Sequence, residues 1–487
     1  MRKENIFGLF TLVMITVGAV DSIRNLPTAA LFGSSLVFFF LFGAMIFLLP
    51  SAFIAAELVS AWPECGGVYV WVKQAFGQKV GFLAIWLQWI ENVIWFPTIL
   101  SFIAGSVGYL ISPDLAESKI FIVLMVLAAF WFATIINLLG MRSSAIVGVI
   151  CTALGLLFPV MLIVILGIKW IVAGHATQVN FSDLTNFRIN FSHPQMWIAL
   201  TGIMLSYCGL EITTVHAHEV HKPHHNFPRA LIISVVLLLT TLILGSLSIA
   251  VVLPGTKINL ISGIMQTFDT FFSAYHLHWL MPIMGLSLVL GGIGGVSSWI
   301  IAPTRGLLIA AHDGRLPKHC RKQNRYGAPS TLLLYQAGIV SVIIMIFLFM
   351  PSVSGSYWLL TVLAAQLYML MYLLMFSAAI YLRYKKPDYP RPFHIPGGKL
   401  GMWLVGGLGI IGAGLTFCIG FIPPHEINTG GVWHFEIMLI SGLILASIVP
   451  FLESKKFKRD LPQIESEINK APLPYRDTEH NLKDIEN

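Results

Sequence analysis

A chain of 487 residues that is 56% hydrophobic and only 11% charged is not a soluble domain. At about 20 apolar residues per crossing it has room for roughly twelve membrane spans. The net charge of +7 does not point to nucleic acid, because the basic residues stand in short loops between apolar runs, where the cytoplasmic excess of Lys and Arg accounts for them.

Taken in chain order, the apolar runs predict spans near residues 6–30, 35–60, 80–111, 119–140, 143–172, 194–217, 229–253, 279–311, 330–350, 357–383, 400–422 and 434–452. Met1 to Asn5 is a short leader, and the run from Ile6 continues too far, without a small-residue cleavage site, to be a removable signal. The first span is therefore expected to direct the chain to the membrane. With the N-terminus inside, about 17 Lys and Arg fall on the cytoplasmic side and about four, Lys119, Lys169, Arg188 and Lys257, on the other. This bias places both termini in the cytoplasm.

Two of the predicted spans are badly suited to continuous helix. In the first, Gly18-Ala-Val-Asp-Ser-Ile-Arg-Asn-Leu-Pro27 puts a glycine, a proline and the pair Asp21 and Arg24 at mid-depth, where ionisable groups cost at least a few kcal/mol each. In the sixth, Ser206-Tyr-Cys-Gly-Leu-Glu211 sets a glycine and a carboxylate inside an apolar run. Such interruptions persist only where protein or a water-filled cavity covers them. Helices broken at mid-depth are working parts of secondary transporters, and a break opening each set of five spans fits an inverted repeat of five plus five. The expected fold is all-α and membrane-embedded. Residues 1–453 form the transporter domain, with one repeat over about 6–172, a second over about 194–383, and two extra helices over about 400–452.

After residue 453 the composition changes. Residues 454–487 are basic at Lys455, Lys456, Lys458 and Arg459, then acidic and proline-bearing, and read as a polar cytoplasmic tail without a core of its own. The sequons at Asn180 and Asn190 read as chance unless the host glycosylates. Cys65, Cys151, Cys208, Cys320 and Cys418 are scattered without a close pair, which excludes a disulfide framework and the usual zinc spacings. No metal and no cofactor is expected.

Several blocks carry a resemblance. Glu219-Val-His-Lys-Pro223 with Pro228-Arg-Ala230, and Pro303-Thr-Arg-Gly306 through Asp313-Gly-Arg-Leu-Pro317, resemble the amino acid–polyamine–organocation superfamily. Ala55-Ala-Glu-Leu58, Gly66-Gly-Val-Tyr-Val-Trp-Val72, Leu205 to Glu211, Leu247 to Ala250, Ile258-Asn-Leu260, Met265-Gln-Thr-Phe268 and Phe393-His-Ile-Pro-Gly-Gly-Lys399 are similar to the bacterial glutamate/GABA antiporter family. The resemblance implies a twelve-span exchanger of the five-plus-five inverted-repeat fold in the bacterial inner membrane. Its partners would be the lipid bilayer and small amino acids, with protons as a further candidate. By the same resemblance, substrate is held by Val20, Asp21, Ser22, Ile23 and Arg24 at the first break and by Tyr207, Cys208, Gly209 and Glu211 at the second. Gln88, Trp299, Tyr368 and Tyr372 complete the pocket. The chain departs from the superfamily in having Val20 and Ser22 where glycines are preferred and Arg24 where an aromatic is common.

Each candidate has a plainer alternative. Arg24 suits bidentate recognition of a carboxylate and Asp21 an ammonium or a proton, or the two neutralise each other. Glu211 either serves substrate and protons or caps freed backbone; Glu91, beside Asn92, poses the same choice. Trp299, Tyr368 and Tyr372 form a gate or merely pack. Glu57 and Glu64 read as structural, and Arg305 as an anchor at a helix end. His216, His218, His221, His224 and His225 crowd one inner loop; they are either pH-sensing, since histidine titrates in the range of cytoplasmic acidification, or an ordinary solvated loop. A proton-coupled amino-acid or polyamine importer is the alternative to an antiporter. A membrane-embedded enzyme or sensor is disfavoured, because no nucleophile–base motif or phosphate loop is present.

Overall fold

The computed structural model describes residues 8–62, 66–139, 145–179, 194–212, 223–425 and 427–451. The first predicted interruption is a true break. Helix α1 (Leu9–Val20) stops where Asp21 and Ser22 turn extended, at ψ 133° and 116°, and a 3₁₀ turn over Ile23–Asn25 leads into α2 (Leu26–Ala30). Pro27 is tolerated because it sits in the first turn of α2, where its missing N–H has no intrahelical partner to lose.

The second span is α3 (Leu36–Gly43), a π-helical turn over Ala44–Leu48, and α4 (Leu49–Ala61). Pro50 explains the π turn: its ring would collide with the carbonyl four residues back, at Ile46, and widening the ladder by one residue relieves this. The fifth span repeats the device. It comprises α9 (Ala145–Thr152), a π turn over Ala153–Leu157, and α10 (Phe158–Val172) with Pro159. Between the second and third spans, α5 (Val68–Phe76) is bracketed by Gly67 and Gly77 at φ +49° and +86°, conformations that other residues adopt only under strain. The third span is α6 (Gln78–Ile111); short α7 (Pro113–Ala116) joins it to α8 (Lys119–Leu138).

The second interruption is also present. Helix α11 (Pro194–Ser206) ends in a turn at Tyr207–Gly209, with Gly209 at φ +109°, and a tight turn over 210–212 follows. The remaining helices are α12 (Pro223–Val252), α13 (Gly263–Tyr275), α14 (Met281–His312), α15 (Ser330–Ile343), α16 (Ile346–Phe349), α17 (Val353–Lys385), α18 (Gly398–Ile419) and α19 (Val432–Ser447). Among the described residues ten helical segments are long and apolar enough to cross a membrane; the predicted sixth and twelfth spans correspond to shorter apolar helices, Trp197–Ile212 and Val432–Ser447. The protein is a multi-pass membrane protein.

Burial grades across the bundle. In α17, 83% of the apolar window is buried, against 33% in α8. Large apolar side chains such as Ile120, Leu124 and Phe132 of α8 stand on the outside, as a surface facing lipid rather than water requires. Helices α6 and α17 pack along each other, α14 lies against α6, and α12 lies against α1. The two broken helices are thus surrounded by protein, the setting that irregular backbone needs at this depth.

Candidate functional site

Helix α6 presents Gln88, Glu91, Trp95 and Thr98 at spacings of three and four residues, one helical face. Helix α17 presents Tyr357, Tyr368 and Tyr372, eleven and four residues apart and likewise on one face. The two breaks lie against these faces.

Glu211, three residues beyond the second break's turn residue Cys208, is 2% exposed. Its Oε1 accepts hydrogen bonds from Gln88 Nε2 at 2.9 Å and from the Tyr368 hydroxyl at 2.7 Å, and its Oε2 accepts from the Tyr372 hydroxyl. Tyr372 in turn accepts from the backbone N–H of Gly209 at 3.0 Å. Three donors on one buried carboxyl group compensate the desolvation that burial imposes. Glu211 thereby ties the second break to α6 and α17 together.

Arg24 is 1% exposed, and its Nη1 donates to the Thr98 and Tyr357 hydroxyl oxygens, 3.0 Å each. Its guanidinium carbon lies 5.2 Å from the centroid of the Trp95 ring, within the range of a cation–π contact. Asp21 points elsewhere: its Oδ2 accepts from the Thr241 hydroxyl of α12 at 2.5 Å. The two charged residues of the first break are therefore held by different helices instead of by each other. Thr241, Thr98 and Tyr357 were not legible as partners in the sequence. A threonine in a membrane helix ordinarily bonds its own backbone, as Thr98 also does to the Trp95 carbonyl at 2.7 Å.

Trp299 of α14 bridges the breaks. Its Nε1 donates to the Ala19 carbonyl at 2.9 Å, one of the acceptors freed where α1 ends. Its ring lies against Gly209, where an added Cβ would come within 2.8 Å of it. A cavity adjoins this contact, lined by residues 18–25 of the first break, Glu91 and Trp95 of α6, Cys208, Trp299 and Tyr368 among others. Gly291, Gly292, Gly294 and Gly295 of α14 are among its lining residues; the first three are there for close packing against Gly155, Ile103 and Cys151, and Gly295 faces open space.

Of the residues singled out in the sequence, Val20, Asp21, Ser22, Ile23, Arg24, Cys208, Trp299 and Tyr368 line this cavity. Gln88 and Glu211 line a smaller hollow with Gly66, Gly67 and Pro303. Tyr207 turns away, donating from its hydroxyl to the Phe40 carbonyl of α3 at 2.7 Å. His216, His218 and His221 lie outside the described residues, as do the side chains of His224 and His225, the residue Glu64, both sequons and the polar tail. Among the described residues no group of three His, Cys, Asp or Glu is placed to hold a metal ion.

Where α4 and α17 end, Glu57 of α4 accepts from Arg383 Nη2 and the Ile395 backbone N–H, both 2.9 Å, and lies 3.5 Å from Arg391 Nε. Burial lowers the Arg391 pKa, an effect that Glu57 opposes. This fastens the loop after α17 onto α4.

Apolar spans broken around a buried, polar-lined cavity define a multi-pass membrane transporter. The chain belongs to the amino acid permease family, whose profile matches residues 7–443. It is 43% identical over 460 residues to an uncharacterized transporter of Legionella pneumophila, covering 94% of this chain and 99% of that one. To the glutamate/gamma-aminobutyrate antiporter of Lactococcus lactis subsp. cremoris it is 30% identical, covering 93% of this chain and 90% of the relative. The antiporter of the same name from Lactococcus lactis subsp. lactis is 29% identical, over 99% of this chain and 97% of the relative.

Proposed function

We propose that the protein is an amino-acid antiporter of the bacterial inner membrane, exchanging glutamate with GABA or a related amino acid by alternating access. The observation that carries this reading is the meeting of the two breaks at Trp299, which holds the Ala19 carbonyl and covers Gly209 beside the cavity. Backbone N–H and C=O groups released there are the groups that recognise a zwitterion in transporters with discontinuous helices. In this reading Val20, Asp21, Ser22, Ile23, Arg24 and Cys208 contact substrate directly. Gln88, Glu211, Tyr368 and Tyr372 hold the second break in the conformation that binds it. Trp299 is the moving cover. Twelve spans in a five-plus-five inverted repeat, with two extra helices and both termini in the cytoplasm, complete the proposed architecture.

Full-length similarity to two glutamate/gamma-aminobutyrate antiporters supports exchange over enzymatic or sensory roles. Counterflow in proteoliposomes tests it. Labelled glutamate should enter only when glutamate or GABA is present inside. Accumulation driven by a proton gradient alone, with no internal amino acid, would establish the proton-coupled importer in its place.

A further inference from the structure

Among the described residues, Asp21, Arg24 and Glu91 supply the acidic and basic side chains that line the cavity at the breaks. Two of them are engaged: Asp21 accepts from Thr241, and Arg24 donates to Thr98 and Tyr357 while lying over Trp95. Glu91 is not. It is 2% exposed and its Oε2 is buried without a hydrogen-bond partner. A carboxyl group left in this condition inside a membrane protein is costly, and α6 could have carried an apolar residue here, as it does at neighbouring Ile90, Val93 and Ile94.

The complement of an unpaired buried carboxylate is a compact cation with several donors, and an alkylammonium group supplies three. The cavity shared by Glu91 and the break is lined also by Trp95, Ile99, Phe102 and Leu156, an apolar surface suited to methylene groups. A donor for a carboxylate lies at the break itself, in the Nε of Arg24, which is buried without a hydrogen-bond partner.

We propose that Glu91 is a specificity-determining residue of this transporter, receiving the ammonium group of an amino acid whose amine is separated from its carboxylate by a run of methylenes, an ω-amino acid. The inference rests on the antiport reading and names the group that would tell one exchanged partner from the other. An α-amino acid places its ammonium next to its carboxylate, at the break, and does not use Glu91. An ω-amino acid, with its ammonium set apart from its carboxylate by methylenes, does.

The test is counterflow by purified protein in proteoliposomes, with labelled 4-aminobutanoate and labelled glutamate, comparing wild type with Glu91→Gln and Glu91→Asp. Removing a charge-assisted hydrogen bond should slow 4-aminobutanoate counterflow by about ten- to a hundredfold in E91Q, leave glutamate self-exchange within about threefold, and restore part of the loss in E91D. Equal loss of both substrates, or no loss of either, overturns the assignment of Glu91 and leaves the antiport reading standing. So does a wild type that exchanges α-amino acids but no ω-amino acid. A wild type that exchanges no amino acid at all overturns the antiport reading itself.

Should neither variant fold, competition against labelled glutamate with the wild type decides. 4-Hydroxybutanoate, which has a hydroxyl in place of the ammonium, should compete about tenfold more weakly than 4-aminobutanoate. Equal competition overturns the proposal.

Discussion

Trp299 and Gly209 are in contact across the two interrupted spans: the indole ring occupies the space that any side chain at Gly209 would need, and its N–H reaches past to the Ala19 carbonyl. Gly209 adopts φ +109°, so a larger residue there meets both backbone strain and the ring. Gly209→Ala should destabilise the protein by about 1–3 kcal/mol and slow exchange, read as a lower melting temperature of the detergent-solubilised protein and a slower counterflow rate. Trp299→Phe removes the donor and the indole atoms that lie against Gly209. It leaves the Ala19 carbonyl unpaired, should cost about 1–3 kcal/mol of stability, and should weaken the tie between the breaks without adding a clash.

The carboxyl group of Glu211 is held by Gln88, Tyr368 and Tyr372. Tyr372→Phe removes one donor to the carboxylate and one acceptor of the Gly209 N–H, and should cost about 1–3 kcal/mol. Because the two groups share one network, the losses in Tyr372→Phe and Glu211→Gln should not add in the double variant. Additive melting temperatures would show that the network does not act as a unit.

Where α4 and α17 end, Glu57→Gln removes the negative partner of Arg383 and Arg391. Breaking a buried pair from one side costs about 3–5 kcal/mol. The variant should melt earlier and should be cut by trypsin after Lys385, where α17 gives way to the loop that Glu57 fastens, sooner than the wild type.

Tyr69 of α5 donates to Asp313 at the end of α14, where Lys73 also donates. Burial, and then Asp313, pushes the Tyr69 phenol well above its ordinary value. The folded protein thus keeps a proton that the unfolded chain releases above about pH 10. Stability from this group is fully present below that pH and falls above it, by about 1.4 kcal/mol per pH unit. Melting temperature plotted against pH from 8 to 11.5 should drop less steeply in Tyr69→Phe than in wild type.

The interruptions were readable because charge, glycine and proline are conspicuous in apolar runs, and α1 does end at Val20 as Gly18 to Pro27 suggests. The resemblance likewise gathered Trp299, Tyr368 and Tyr372 with Glu211 and Gly209, far apart in sequence. What could not be read was direction. Asp21 and Arg24 sit three residues apart, yet the extended backbone between them sends one to α12 and the other to α6 and α17. Tyr207 lies beside Cys208, yet in the turn that ends α11 its side chain goes to α3 while Cys208 faces the cavity. The role of Thr241 depends on which helix packs beside the break, and spacing along the chain does not carry that information. The π turns were missed because Pro50 and Pro159 sit in strongly apolar runs whose composition is that of ordinary helix.

The π turn over Ala153–Leu157 brings Gly155 against Gly291 of α14, backbone on backbone. No side chain stands between the two glycines, and the Ser287 hydroxyl of α14, donating to the Leu154 carbonyl, holds the crossing from one turn away. A methyl group at either glycine would pry them apart, and the wall of the cavity that α14 forms would move with them.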